Sequence, residues 1–410
     1  ICCTWLLCVH GHSTKTRDGY RYRRVEEIKY VDRRNTNCNK WDGQSNMFGE
    51  EGLHAMWVAD MDFQVPQCVI NALRKYVDQG VYGYYKIPDS YYQAFIDWEE
   101  KRHHFRVDKE WIRFSPGVVA GFHWLVQILT RPGEAVIVHT PVYYPFLNAV
   151  KNNNRTLICS DLITNQGKYT INYEDFENKI VDNKVKLFIL CSPHNPAGRV
   201  WKKEELARMF KICKKYGIYI ISDEIHQDLI FDGSRHIPSL SVEGYQDHMI
   251  MLAAPSKTFN LAAGQNSLVI IPDEKLRNLW DQYTTANRVI SGNAFGYIAA
   301  QAAYEGGETW LEDVLKKIWD NYQYVKNELA RKLPDAVVTP LEGTYLCWID
   351  LGAYVSRENM KELIQGKCRI AVDYGDWFGG ERFGTYIRMN LATSMENVEK
   401  GVDALVLNLI

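Results

Sequence analysis

Residues 186–223 read KLFILCSPHNPAGRVWKKEELARMFKICKKYGIYIISD. The stretch opens on the apolar run Leu187-Phe188-Ile189-Leu190 and closes on a second β-rich run, Ile218–Ser222. Between them, Lys202–Tyr216 carries apolar residues at helical spacing, and Gly217 stands where a helix C-terminus favours a residue that tolerates positive φ. Continuous apolar strands joined by a helix belong to a parallel sheet buried on both faces, with right-handed crossovers.

The alternation continues in both directions. Towards the amino terminus, Val65–Val77 reads as a helix with Pro66 in its first turn. Residues 89–105 read as a second helix capped by Asp89 or Ser90, and Ala135–His139 as a strand. Towards the carboxyl terminus come strands at Met249–Ala253 and Ser267–Ile271. From 295 onward the pattern changes: a long helix near 308–332, a strand at Thr344–Leu351, a helix near 357–365, a strand at Thr385–Leu391 and a closing helix. The expected fold is α/β. Residues 65–294 form a large domain with a mainly parallel sheet covered by helices, and residues 28–64 join 295–410 in a smaller α+β domain.

At 410 residues the chain exceeds what one hydrophobic core usually supports, which agrees with two domains. Lys plus Arg number 48 against 50 Asp plus Glu, so the basic footprint of a nucleic-acid binder is missing. No apolar stretch is long enough to span a membrane as a helix. The 10 cysteines include no Cys-x-x-Cys pair and no zinc-like spacing, so no metal site is expected. Most lie in apolar segments as reduced thiols would, which points to a cytoplasmic protein. Residues 1–27 form an amino-terminal extension: a short apolar run at Trp5–Val9, then a Lys-, Arg- and Tyr-rich lead-in containing Arg21, Arg23 and Arg24. A targeting remnant would need a basic start and a small-residue cleavage site, and neither is clear, so an upstream extension is the better reading.

In open α/β sheets ligands bind beyond the carboxyl ends of the strands. Thr140-Pro141-Val142-Tyr143 follows the first of these strands, Cys191-Ser192-Pro193-His194-Asn195-Pro196 the second, Asp223-Glu224-Ile225-His226 the third, and Ala254-Pro255-Ser256-Lys257-Thr258 the fourth. A ring, an amide, a carboxylate and a lysine therefore converge on one sheet edge. Taken singly each is bland: Asn195-Pro196 is a turn signature, Asp223 could cap a helix, and Ser-Lys-Thr is usually surface. Together they meet the needs of pyridoxal phosphate. Lysine forms a Schiff base with the aldehyde, a carboxylate keeps the pyridine nitrogen protonated, a ring stacks and an amide reaches the phenolic oxygen. Ser115-Pro116-Gly117-Val118-Val119 opens an apolar helix whose free N–H groups suit a phosphate dianion.

This pattern resembles the fold-type I pyridoxal-phosphate enzymes of the class I/II aminotransferase superfamily, and within it the cystathionine β-lyase branch, the MalY/PatB-like C–S lyases. The resemblance runs from about residue 28 to the end and includes Val58-Ala59-Asp60-Met61-Asp62-Phe63 and Val81-Tyr82-Gly83-Tyr84. It implies that Lys257 is the Schiff-base lysine and proton carrier, that Asp223 pairs with the pyridine nitrogen, and that Asn195 meets the phenolic oxygen. It further implies that Tyr143 stacks on the ring, and that Val118, Val119 and Ser256 hold the phosphate. Tyr84 would reach the phosphate of a neighbouring subunit in a homodimer, and Arg388 would clamp the substrate α-carboxylate. Two positions depart from many superfamily members: His226 replaces a Tyr, and Gln265 replaces a phosphate-binding Arg. His226 suits the lyase branch; Gln265 leaves the phosphate more dependent on backbone donors, hydroxyls and Tyr84. The implied reaction is C–S cleavage of cystathionine, cysteine or an S-substituted cysteine to a thiol, pyruvate and ammonia. The alternatives are an aminotransferase on the same scaffold and an added regulatory, protein-binding role, for which no sequence feature speaks.

Overall fold

A computed structural model describes residues 27–410; the apolar run at 5–9 and Arg21, Arg23 and Arg24 lie outside the described residues. Seven strands form the main sheet: β1 (Ile112–Ser115), β2 (Ala135–Thr140), β3 (Thr156–Asp161), β4 (Leu187–Cys191), β5 (Tyr219–Asp223), β6 (Met249–Ala253) and β7 (Ser267–Ile270). Their order is β1-β7-β6-β5-β4-β2-β3. The ladders β3–β2–β4–β5–β6 are parallel, and β7 alone runs against its neighbours β6 and β1.

The central strands separate two apolar layers by their period of two. Phe188, Leu190, Ile220 and Met251 enter one layer with Met209, Phe210 and Cys213 of helix Lys203–Lys215. Leu187, Ile189, Ile221 and Leu252 enter the other with Phe122 of helix Val118–Leu129 and Phe146 of helix Tyr144–Asn152. Each such side chain contributes about 1.5–3 kcal/mol by leaving water. That double burial explains why these strands carry unbroken apolar runs. Helix Lys203–Lys215 ends as expected: Tyr216 is its C-cap and Gly217 follows at φ +65°.

Strands β1 and β3 went unrecognised in the sequence. Both are sheet edges, less completely buried than the central strands, and their apolar runs are broken by Arg113 and Ser115 in one and by Ser160 and Asp161 in the other. Pro88, rather than Asp89 or Ser90, is the N-cap of helix Asp89–His103. The expected helix near 357–365 is instead a 3-10 turn at Arg357–Asn359 followed by a π-helical turn at Glu362–Lys367.

A second, antiparallel sheet contains β8 (Val337–Val338), β9 (Leu346–Asp350), β10 (Asp373–Tyr374) and β11 (Tyr386–Asn390), in the order β8-β9-β11-β10. Helices Glu308–Lys332 and Met395–Leu409 pack against each other beside it. His54–Ala55 pairs in parallel with Ile370–Ala371, which leads residues 56–63 across to the carboxyl edge of the main sheet. Helix Ala294–Gly306 packs on helices Gln67–Val77 and Asp89–His103. No helix among the described residues is long and apolar enough to cross a membrane.

Candidate active site

One cavity opens at the carboxyl edge of the main sheet. Its walls include Gly117, Val118, Val119, Tyr143, Asn195, Asp223, His226, Ser256, Lys257, Gln265 and Asn266, together with Ala59 from the crossing segment. Every element supplies its group at a strand end. Asp223 is the last residue of β5, in register with Cys191 of β4 on one side and Leu252 of β6 on the other. Lys257 sits in the single turn Pro255–Thr258 that follows β6. Tyr143 is the N-cap of helix Tyr144–Asn152, and its backbone N–H donates to the Asn195 carbonyl at 2.9 Å. Asp223 therefore ends the strand it was expected to follow, and Lys257 lies inside the helical turn after its strand.

Lys257 Nζ donates to the Ala59 carbonyl at 2.6 Å, an oxygen that also accepts from the Tyr345 hydroxyl at 2.8 Å. Loss of water around the ammonium lowers its pKa to about 8, although Asp60 and Asp223 favour the charge. The Asp223 carboxyl is raised to about 7 by burial, against the Ile225 N–H and Lys257. Burial also drives His226 well below its ordinary value, helped by Lys257 and Arg388, so the ring is neutral. A carboxylate this starved of charge partners would gain from a cation placed against it.

The cavity suits pyridoxal phosphate by its unmet polar atoms. His226 Nδ1 and Asn266 Nδ2 are buried without hydrogen-bond partners. Asn266 Oδ1 is already taken by the Tyr91 hydroxyl at 2.7 Å, so the amide's orientation leaves its NH2 group unpaired. The N–H groups of Val118 and Val119 open helix Val118–Leu129, where no intrahelical acceptor exists. An anion at that end and an aromatic heterocycle between Tyr143, His226 and Asp223 would satisfy these groups together.

Arg388 does not line this cavity but reaches its rim: Nη1 donates to Asn195 Oδ1 at 2.9 Å. Its other terminal nitrogen pairs with Asp373, both side chains buried. Tyr84 is not brought to the site of its own chain. It stands fully exposed on the segment between helices Gln67–Val77 and Asp89–His103, beside a groove lined by Tyr76, Tyr85, Ile298 and Ala302. Its neighbours Tyr82 and Tyr85 pack on Tyr76, Phe295 and Tyr297.

Sequence reasoning missed four residues. Asn260 staples the crossing segment to the lysine turn: Oδ1 accepts from Met61 N at 3.0 Å, and Nδ2 donates to the carbonyls of Met61 and Phe63. Asp228 accepts the Thr258 hydroxyl at 2.7 Å and the Trp98 indole N–H at 3.0 Å, which anchors the same turn from beneath. Asn266 directly follows Gln265, the position where many superfamily members carry a phosphate-binding Arg. Asp373 is an acidic residue directly after the apolar run Ile370-Ala371-Val372, the one local sign that it has a buried partner.

The fold and this edge-on cluster define a pyridoxal-phosphate enzyme of fold type I. The profile of the family "Aminotransferase class I and II" matches residues 57–405, and the chain belongs to that family. It is 36% identical to cystathionine beta-lyase PatB of Bacillus subtilis over 91% of this chain and 97% of that protein. It is 30% identical to protein MalY of Escherichia coli over 92% of this chain and 97% of that one. Among solved structures, cystalysin from Treponema denticola, which contains a pyridoxal 5'-phosphate cofactor, superposes with a TM-score of 0.89 at 35% identity, covering 94% of this chain and 98% of that one. The PLP-bound C–S lyase from Staphylococcus hominis gives 0.88 at 34% identity, covering 93% and 97%.

Proposed function

We propose that the protein is a pyridoxal-phosphate C–S β-lyase that cleaves cystathionine, cysteine or an S-substituted cysteine to a thiol, pyruvate and ammonia. The observation that carries this is the convergence of Lys257, Asp223, Asn195 and two unpaired polar atoms on one cavity. The similarity to PatB over nearly its whole length supports lyase chemistry in particular.

Pyridoxal phosphate, when bound, supplies an aldehyde for the substrate amine and a ring that withdraws electrons from the α-carbon. Lys257 is the base: with a pKa near 8, its Nζ takes the α-proton while remaining basic enough to hold it. Asp223 holds a proton at the pyridine nitrogen, and its buried carboxylate gains a counter-charge in doing so. Asn195 donates to the phenolic oxygen through Nδ2, because Oδ1 accepts from Arg388. Arg388 orients the substrate through its α-carboxylate, for which a planar guanidinium is the matching donor. Val118, Val119, Ser256 and Asn266 hold the phosphate, and Tyr143 covers the ring face.

The aminotransferase alternative shares the first proton transfer. Incubation of the purified protein with cystathionine separates the two: pyruvate with homocysteine supports the lyase, whereas conversion of the cofactor to its amine form without pyruvate supports transamination.

The assembly is proposed as a homodimer in which Tyr84 serves the partner's site. Its complete exposure, next to exposed Val81, Tyr82 and Phe295, supports that reading. The two domains are proposed to divide at 65 and 295 as the sequence suggests, with a sheet in each. A cytoplasmic location is in keeping with free thiols at Cys38, Cys159, Cys191, Cys213, Cys347 and Cys368.

A further inference from the structure

Asp373 and Arg388 are direct partners in the β10–β11 ladder, so their side chains leave the same face of the sheet. Each is only 2% exposed, and they form a buried ion pair. Asn195 occupies one terminal nitrogen of the guanidinium and Asp373 the other. Two atoms are left over: Arg388 Nε and Asp373 Oδ1 are both buried without a hydrogen-bond partner. The guanidinium that should receive a substrate carboxylate thus already holds a carboxylate. A second one in the same water-poor place would put two negative charges on one cation, and like charges oppose each other's ionisation.

We propose that Asp373 is an internal stand-in for the substrate α-carboxylate, and that a carboxylate ligand binds Arg388 together with one proton, taken from solvent, that settles on Asp373. The inference rests on the reading of Arg388 as the carboxylate clamp. The charge then balances: one cation, one ligand anion and one neutral carboxyl. Both unmet atoms find use in the same event. Arg388 Nε–H donates to the ligand, and Asp373 Oδ1, once protonated, becomes a donor to it. The groups that face the pair are the Tyr143 and Tyr144 hydroxyls from the segment after β2, with Phe378 beneath the guanidinium. Arg388 also acts electrostatically on Lys257, His226 and Tyr345. Asp60 and Asp223 act in turn on Lys257, favouring its charged form. Burial already raises the Asp373 carboxyl to about 6 against the pull of Arg388, so protonation near neutral pH is within reach.

The test uses cofactor-loaded protein and 3-(methylthio)propionate, a carboxylate that has no amine and so leaves the lysine untouched. Calorimetric titration in two buffers of different ionisation enthalpy counts the protons taken up. The expected result is one proton per ligand at pH 8, with affinity falling about tenfold per pH unit above neutrality. Asp373→Asn should bind without proton uptake, with affinity that no longer follows pH and is higher than wild type at pH 8. Wild-type binding without proton uptake overturns the inference, and that measurement stands even where Asp373→Asn does not fold. Proton uptake that persists in Asp373→Asn overturns it as well. Arg388→Ala separates the two readings. If it binds the ligand normally, the clamp assignment and the inference fall together. If it loses the ligand while proton uptake survives in Asp373→Asn, only the role of Asp373 is wrong.

Discussion

The Asn195 side chain accepts a hydrogen bond from Arg388 at 2.9 Å, and its backbone carbonyl accepts one from Tyr143 N at 2.9 Å. One residue, on the loop after β4, thereby joins the arginine of the second sheet to the tyrosine of the first. In the proposed enzyme its free NH2 group faces the cofactor, so the amide couples ring and substrate clamp.

Asn195→Ala is expected to weaken both functions. Losing a hydrogen bond to a charged group costs about 1.5–3 kcal/mol. The KM for a thioether amino acid should rise, and the cofactor's absorption should shift as its phenolic oxygen loses a donor. Steady-state kinetics and an absorbance titration check the two effects separately; a change in only one would break the coupling.

Lys257 should titrate far below an ordinary lysine. In cofactor-free protein, its acylation by a small amine-selective reagent should be half-maximal near pH 8, where desolvation places its pKa. The sign for stability follows. An unfolded lysine keeps its proton to about pH 10.4, so between the two values the unfolded state binds more protons and stability rises with pH. Denaturant melts of cofactor-free wild type and Lys257→Met should converge as pH rises through that window. In loaded protein, Lys257→Ala should lose the yellow, borohydride-reducible linkage and nearly all turnover; a linkage at another lysine would count against the assignment.

Asp223→Ala should still bind the cofactor, because the phosphate donors and Asn195 remain. It should lose substrate α-proton exchange by orders of magnitude, since nothing then holds a proton at the pyridine nitrogen. Deuterium exchange followed by proton NMR is the measurement, and near-wild-type exchange would sink this role for Asp223.

Tyr84→Phe should weaken cofactor binding by about 1–3 kcal/mol if its hydroxyl reaches the partner's phosphate. Mixing Lys257→Ala subunits with Tyr84→Phe subunits provides the geometric check. In a two-fold assembly each hybrid has one site with both lesions and one with neither. Activity should exceed that of either parent after subunit exchange. Demonstrated exchange with no recovery would remove Tyr84 from the partner's site.

Short-range signals made much of the molecule legible in the amino-acid sequence. Strands β4, β5 and β6 and the helices between them announce themselves because burial on both faces demands unbroken apolar runs. Lys257, Asp223, Asn195 and Tyr143 could be picked out because each stands at or just after the end of its own strand, and parallel strands place those ends on one edge. Other features depend on partners distant in sequence. Edge strands β1 and β3 are less completely buried than the central strands and carry shorter, polar-interrupted runs. Asn260 matters only because residues 61 and 63 lie against it, and Asp228 because Thr258 and Trp98 do. Asp373 and Arg388, 15 residues apart, become partners through antiparallel register alone. The sequence determined which chemical groups stand at the sheet edge; only the tertiary structure decided which charge faces which, because pairing in a buried site is set by register and packing between segments that carry no local record of each other.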